Sequence, residues 1–414
     1  MNHCLSSILA FNIGFDFSKS KNNSTSLLFC FFIFLTGIGQ VSYAQSSLEK
    51  SIKERIESRK YPSVFQAWSQ VENEVGDNVS LAAKHDLIWQ GASSFNLKWN
   101  NSFNGLATGF IPETIAFGLE KRKELLQKNP NMIFLLEIRF YDAFMKYLPT
   151  ESPFWMHDSL GKLIMGWKEG NYPKLDYRNK VFQNIIVQQA KAAVESGVFD
   201  GIMLDRWSEG SRDSSAMSLL KDIRNAIGEE KLIIVNSNDN IIPNSAKYVN
   251  GLFMECCKAN NDDKNWEKIE NTLRWAESNL KEPHVNCLET WYKYSRNDLN
   301  RMRATTTLSL TCSNGYALFS DPNELPTADH LHNWYSFWDI QLGKPTGKGF
   351  KRDDGIWQRE FTNGIVVYNP PLNNKQTLKF KQKLKRVSDG VVGTSFVMDN
   401  LDGDIFLYVK NNNH

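Results

Sequence analysis

Several residue patterns are scarce or missing in this chain, and each absence removes a class of protein. Of 414 residues only six are cysteine. Cys4 and Cys30 fall in an N-terminal segment that reads as a leader, which leaves Cys256, Cys287 and Cys312 together with Cys257. Four cysteines in so long a chain do not make a disulfide framework, although one bridge among them stays open. There is no C-x-x-C spacing, so a zinc site of that type has no support. Neither sign of charge is in excess, with 48 Lys and Arg against 46 Asp and Glu. That balance excludes the electrostatic footprint of a general nucleic-acid binder. No glycine-rich phosphate loop follows an early apolar run, and no Gly-x-Ser-x-Gly elbow or Cys–His context for nucleophilic catalysis is present. The longest apolar run of the leader, Leu27 to Ile38, is too short for a comfortable membrane span.

That run nevertheless has a meaning. Lys19 and Lys21 precede it, and the small-x-small tripeptide Ser42-Tyr43-Ala44 follows. The order is that of a secretory signal over residues 1–44, cleaved near Ala44. The expected mature protein begins at Gln45, is secreted or periplasmic, and keeps no stable membrane span. Residues 45–60 read as an N-terminal helical extension.

What the chain has in quantity is apolar sequence, 41% of its residues, and aromatics, with 12 Trp, 13 Tyr and 26 Phe. Short apolar runs at Ser63–Trp68, Asp86–Gln90, Met132–Arg139, Gly201–Trp207, Leu232–Ser237, Gly251–Cys256, Val285–Glu289 and Tyr316–Asp321 read as strands. Helical patterns alternate with them near 80–84, 113–128, 178–196, 214–227, 243–248, 262–280, 297–311 and 329–339. This is the rhythm of an α/β protein built as a (β/α)₈ TIM barrel over residues 61–345. From residue 346 to 414 the rhythm changes to short strands broken by Asn363-Gly364, Asp389-Gly390 and Asp402-Gly403, predicting a small C-terminal all-β, sandwich-like domain. The basic stretch Lys379 to Arg386 reads as a solvated strand face.

In such a barrel the chemistry sits at the C-terminal ends of the strands. Those ends offer Gln66 and Trp68, Gln90, Glu137 and Arg139, Asp205 with Arg206 and Trp207, Asn236, Glu255, Glu289 and Asp321. Met203, Ile234 and Phe253 each stand two residues before one of these polar groups, so alternation turns both members of each pair inward. No His-x-His lies at an early strand end. His330-Leu331-His332 has the spacing but falls at the expected start of the last helix, where a surface or capping role is predicted, and His85, His157 and His284 fit no ligand set. Lys is absent from the strand ends, which argues against Schiff-base chemistry. Carboxylate chemistry between aromatic walls remains, needing no metal and no cofactor.

Paired carboxylates are what glycosidic cleavage requires, one to protonate the leaving oxygen and one as nucleophile or base. Trp207, Trp291 and Trp334 are candidate sugar platforms. The long segment from Phe140 to Tyr177, with Tyr147, Trp155, Trp167 and Tyr172, should lie over the barrel mouth. A carbohydrate-binding protein on a barrel that has lost catalysis is the rival expectation. A sugar lyase or epimerase would want a Lys, Tyr or His base beside the carboxylates, and the strand ends supply none.

The run Ser196-Gly197-Val198-Phe199-Asp200-Gly201-Ile202-Met203-Leu204-Asp205-Arg206-Trp207 resembles the fourth-strand signature of the hypothetical glycoside hydrolase-like TIM-barrel group, itself distantly similar to endo-α-1,4-polygalactosaminidases. Tyr61 to Trp68, Asn250 to Glu255, Leu342 to Pro345 and Arg359 to Pro370 extend the resemblance over about residues 60 to 410. It implies an exported glycoside hydrolase with a carbohydrate substrate and a catalytic pair, Asp205 and Glu255. Asn236, Glu289, Arg139, Glu137, Trp207, Trp291 and Asp321 are then the expected substrate-binding shell. Arg206, following Asp205 directly, departs from the small or acidic residue often found there.

Overall fold

The computed structural model describes residues 49–207, 209, 214–256, 263–292, 294–321 and 330–409. The leader, Cys257 and the first residue of the expected last helix lie outside the described residues. Eight parallel strands form one sheet: β1 (Phe65–Ala67), β2 (Leu87–Gln90), β3 (Ile133–Ile138), β6 (Gly201–Leu204), β7 (Leu232–Asn236), β8 (Gly251–Cys256), β9 (Cys287–Trp291) and β10 (Tyr316–Ser320). A parallel bridge between Val64 and Ala317 brings the first and last strands together. All eight expected strands are therefore present, and the fold is the (β/α)₈ barrel. Two short strands, β4 (Met165–Trp167) and β5 (Tyr172–Pro173), make a separate hairpin in the segment after β3.

The runs form barrel strands because both faces are buried, so they read as continuous apolar sequence. Their two faces go to different cores. Ile133 and Leu135 join Phe65, Met203, Ile234, Phe253 and Leu318 in the barrel interior. Phe134 and Leu136 join Ile202, Val235 and Leu252 against the helices. The outer layer includes α-helices Asn78–Ala82, Pro112–Lys128, Lys180–Glu195, Ser214–Ile227, Asp263–Asn279 and Leu299–Cys312. Pro112 opens its helix at the position where a missing N–H costs nothing, and the Asn179 side chain caps the next by accepting from Val181 N and Phe182 N.

Two expected helices shrink to single 3₁₀ turns, Ala246–Tyr248 and Ser336–Trp338. Pro243 breaks the first segment, and the few residues left before β8 are too few to repay helix nucleation. Cys287 and Cys312 are free thiols.

The C-terminal all-β unit is a six-stranded antiparallel sheet containing Phe350–Lys351, Trp357–Phe361, Gly364–Asn369, Gln376–Arg386, Val392–Met398 and Asp402–Tyr408. The basic stretch Lys379 to Arg386 falls within the one long strand Gln376–Arg386, which pairs with Val392–Met398. The sheet is clamped to helix Leu299–Cys312. Arg303 pairs with Asp402 at 2.8 Å, and Arg359 donates to the carbonyls of Leu310 and Ser313 at that helix's end. A Cβ on Gly403 would meet Thr307 Oγ1 at 1.8 Å, so close approach excludes any larger residue there.

The base of the barrel is held by one buried carboxylate. Asp200, just before β6, accepts from Arg55, from Arg122 Nη2 at 2.9 Å and from the Phe134 amide at 3.0 Å. Burial alone would push Asp200 up, but Arg122 and Arg55 bring it down to about 2. The stability this supplies is complete above the ordinary value of 3.8 and is lost as pH falls through about 2. Asp200→Asn strands two buried guanidinium groups and is expected to cost about 3–5 kcal/mol. The check is a lowered urea midpoint with an unchanged slope.

Candidate active site

One more step of strand alternation beyond the apolar interior layer brings polar groups to the barrel mouth. Above Leu135 stands Glu137, above Met203 Asp205, above Ile234 Asn236, above Phe253 Glu255, and above Cys287 Glu289. Glu255 and Glu289 are register partners on adjacent strands. A cavity of about 410 Å³ opens over them, lined by Glu137, Arg139, Asp142, Asp205, Arg206, Asn236, Glu255, His330 and the tryptophans Trp68, Trp89, Trp167 and Trp291, among others. A larger cavity of about 950 Å³ lies at the opposite, N-terminal end of the strands, beside Arg59, Pro283, His284 and Lys344. It has none of the inward-facing strand-end carboxylates.

The centre of the site is an amide. Asn236 Nδ2 donates to Asp205 Oδ1 at 2.9 Å and to Glu255 Oε2 at 3.0 Å. Its Oδ1 accepts from the Asn238 amide at 3.2 Å, which fixes which end of the side chain faces the carboxylates. Two oxygens sharing one nitrogen at these distances lie no more than about 6 Å apart. Arg139 completes the charge pattern. Nη2 is 2.9 Å from Glu137, and Nη1 is 3.6 Å from Asp205 and 3.8 Å from Asp142. Burial works against the Arg139 charge, but Glu137, Asp205, Tyr172 and Asp142 outweigh it and raise its pKa.

Four residues at this end take the left-handed backbone that side chains usually avoid: Trp68 (φ 49°), Arg206 (58°), Asn238 (52°) and His330 (58°). Such conformations cost of order 1–3 kcal/mol each and collect where function fixes them. Arg206 therefore ends the extended run of β6 and turns Trp207 away from the cavity.

Trp207 is a correction to the sequence reading. It is buried, packs on Phe140 and donates from Nε1 to Ser245 Oγ at 3.0 Å, so it buttresses the strand ends and has no face for a sugar. Trp334 is likewise buried, donating to Asp339 at 2.8 Å. Asp321 lies off the cavity, holding Tyr292 Oη at 2.9 Å and Arg296 at 3.2 Å. Glu289 is fully buried beside the cavity and accepts from Ser320 Oγ. Of the aromatics in the segment over the mouth, Trp167 lines the cavity, while Tyr147 and Trp155 are buried beneath it.

His330 and His332 overturn the surface reading, since both are buried. His330 Nδ1 meets both Glu289 oxygens, at 2.9 and 3.1 Å. Its ring packs beside Trp89 and Phe253. His332 Nε2 lies 2.9 Å from His85 Nε2, and burial pushes His332 down to about 4 and His85 well below its ordinary value. A histidine does, then, stand beside the carboxylates. Glu255, Glu289 and His330 bring donor atoms within 4.8 Å of one another, a spacing at which a metal ion could be held. Glu289 already accepts from Ser320 and faces His330, while Glu255 accepts from Asn236. Of the aromatic wall, Trp68, Trp167 and Trp291 were legible in the sequence. Trp89 and His330 carried no local signal.

Asp142 is a further group the sequence reading missed. It is buried, and burial pushes it up to about 6, against the pull of Arg206 and Arg139. The hairpin strand Met165–Trp167 presses on it: a Cβ at Gly166 would fall 2.4 Å from Asp142 Oδ2. Gly166→Ala is therefore expected to push the hairpin off its seat and cost about 1–3 kcal/mol, read as a lowered melting temperature.

Residues 140–365 match the model of the hypothetical glycosyl hydrolase family 15, a span that includes Asp205, Asn236, Glu255 and His330. No curated protein matches the chain. Among solved structures it is similar to a maltogenic α-amylase from Thermotoga neapolitana, at 10% identity and TM-score 0.49, covering 84% of this chain and 99% of that one. An α-amylase from Malbranchea cinnamomea is similar at 8% identity and TM-score 0.49, covering 86% and 97%. A pullulanase from Anoxybacillus is similar at 10% identity and TM-score 0.49, covering 87% and 70%. Likeness at this level carries nothing about substrate. With more than half of its length matched, the chain belongs to the hypothetical glycosyl hydrolase family 15.

Proposed function

We propose that the protein hydrolyses glycosidic bonds of a poly- or oligosaccharide, with Asp205 and Glu255 as the catalytic carboxylates. The observation that carries this reading is the single Asn236 amide donating to both, inside a cavity walled by four tryptophans. Carboxylate oxygens within about 6 Å of each other favour the retaining spacing of roughly 5–5.5 Å over the inverting one of roughly 6.5–9.5 Å. One carboxylate attacks the anomeric carbon, and the other protonates the leaving oxygen and then activates water.

Half-buried Trp68 and Trp167 have ring faces to stack on a sugar, whereas the buried Trp89 and Trp291 shape the floor. Arg139, paired with Glu137, faces Asp205 from the side at 3.6 Å. The rival reading as a carbohydrate-binding protein needs the tryptophans but no close carboxylate pair. We further propose that the barrel over residues 61–345 carries the chemistry, that 346–414 is an accessory sheet, and that the signal over 1–44 exports the protein. No helix among the described residues is long and apolar enough to cross a membrane.

The test is release of reducing ends from a panel of polysaccharides. Glu255→Gln and Asp205→Asn are each expected to keep the fold and lower kcat by at least about 10³-fold. Activity retained in a folded Glu255→Gln protein would remove Glu255 from the mechanism.

A further inference from the structure

Asp142 has no part in that chemistry, yet the site is arranged around it. Its backbone forms an antiparallel bridge with Lys174, which anchors the start of the segment over the mouth. Its side chain is 2% exposed, and Oδ2 makes no hydrogen bond to any described residue. Two guanidinium groups face it without reaching hydrogen-bond distance: Arg206 Nε at 3.7 Å from Oδ2 and Arg139 Nη1 at 3.8 Å from Oδ1. The same Arg139 Nη1 stands 3.6 Å from Asp205 Oδ2, while Nη2 is committed to Glu137. One cationic nitrogen thus lies almost midway between a catalytic carboxylate and a buried one.

We propose that Asp142 is a positioning residue that competes with Asp205 for Arg139, so that the charge on Asp142 sets how firmly Arg139 holds the Asp205 carboxylate. With Asp142 ionised, it shares Arg139 and repels Asp205. With Asp142 protonated, both effects end and Arg139 serves Asp205 and Glu137. The charged groups that face Asp142 are Arg139, Arg206, Asp205 and Lys174, and burial outweighs the cations enough to keep its proton up to about pH 6. The exchange therefore falls within the pH range where a glycosidase works, and it steadies the ionised Asp205 as the medium becomes acidic. Gly166 makes it possible, because only a residue without a Cβ lets the hairpin seal Asp142 from water.

This inference rests on Asp205 being a catalytic carboxylate, and its test does not need activity. Protein carrying ¹³C at the aspartate carboxyl carbons is titrated by NMR, with signals assigned from Asp142→Asn and Asp205→Asn. In the unmodified protein the Asp205 signal should show a second inflection near pH 6 as Asp142 gains its proton. In Asp142→Asn that second inflection should disappear, because no titrating charge remains across Arg139 from Asp205. The pH profile of kcat/KM should lose its step near pH 6 in the same variant, with KM unchanged. A single inflection in the unmodified protein overturns the proposal even if the variant does not fold, as does an inflection near pH 6 that persists in a folded Asp142→Asn variant. NMR coupling without hydrolysis would support this inference and overturn the glycosidase reading. Hydrolysis without coupling would do the reverse.

Discussion

One nitrogen atom, Asn236 Nδ2, holds the site together. Two carboxylates on strands β6 and β8 repel each other, and burial at a barrel mouth strengthens that repulsion. An amide between them, donating one N–H to each, turns the repulsion into a fixed spacing. Everything around it keeps that amide in place. Asn238 takes a left-handed backbone so that its N–H can hold the Asn236 oxygen, and the Trp207 amide donates to the Asn236 carbonyl at 2.8 Å. The pair depends on β7 lying between β6 and β8, and so on the parallel register of the whole sheet.

Farther from the centre, the charges are arranged in two shells of opposite purpose. At the base, Asp200 meets two arginines at hydrogen-bond distance and is held firmly ionised, a structural anchor that never titrates near neutrality. At the mouth, Asp142 meets two arginines at 3.7 and 3.8 Å and keeps its proton much longer. A separation of 3.7 rather than 2.9 Å, and with it the presence or absence of direct hydrogen bonds, distinguishes a carboxyl that braces the barrel from one able to change state nearer neutrality.

The barrel and the inward-facing carboxylates at its mouth were legible because both follow from the alternation of strand side chains. Met203 before Asp205, Ile234 before Asn236 and Phe253 before Glu255 place apolar and polar groups on one interior line, as the structure bears out. The same rule fails one residue past the strand. Trp207 follows Arg206, whose left-handed backbone breaks the alternation, so a tryptophan that looked exposed to substrate is packed behind the site. His330 could not be found at all, because its partner Glu289 is 41 residues away and nothing local announces a buried pair. Asp142 was equally silent: its role comes from Arg139, Arg206 and Gly166, which converge only when the segment after β3 folds over the mouth.

The account stands on the short spacing imposed by Asn236, and the stereochemistry of the product reads that spacing directly. Proton NMR of the first sugar released, recorded before the anomers equilibrate, should show the anomeric configuration of the bond that was cut. Inversion at that carbon would mean that the two carboxylates work at a longer distance than the Asn236 bridge holds them, and would contradict the account.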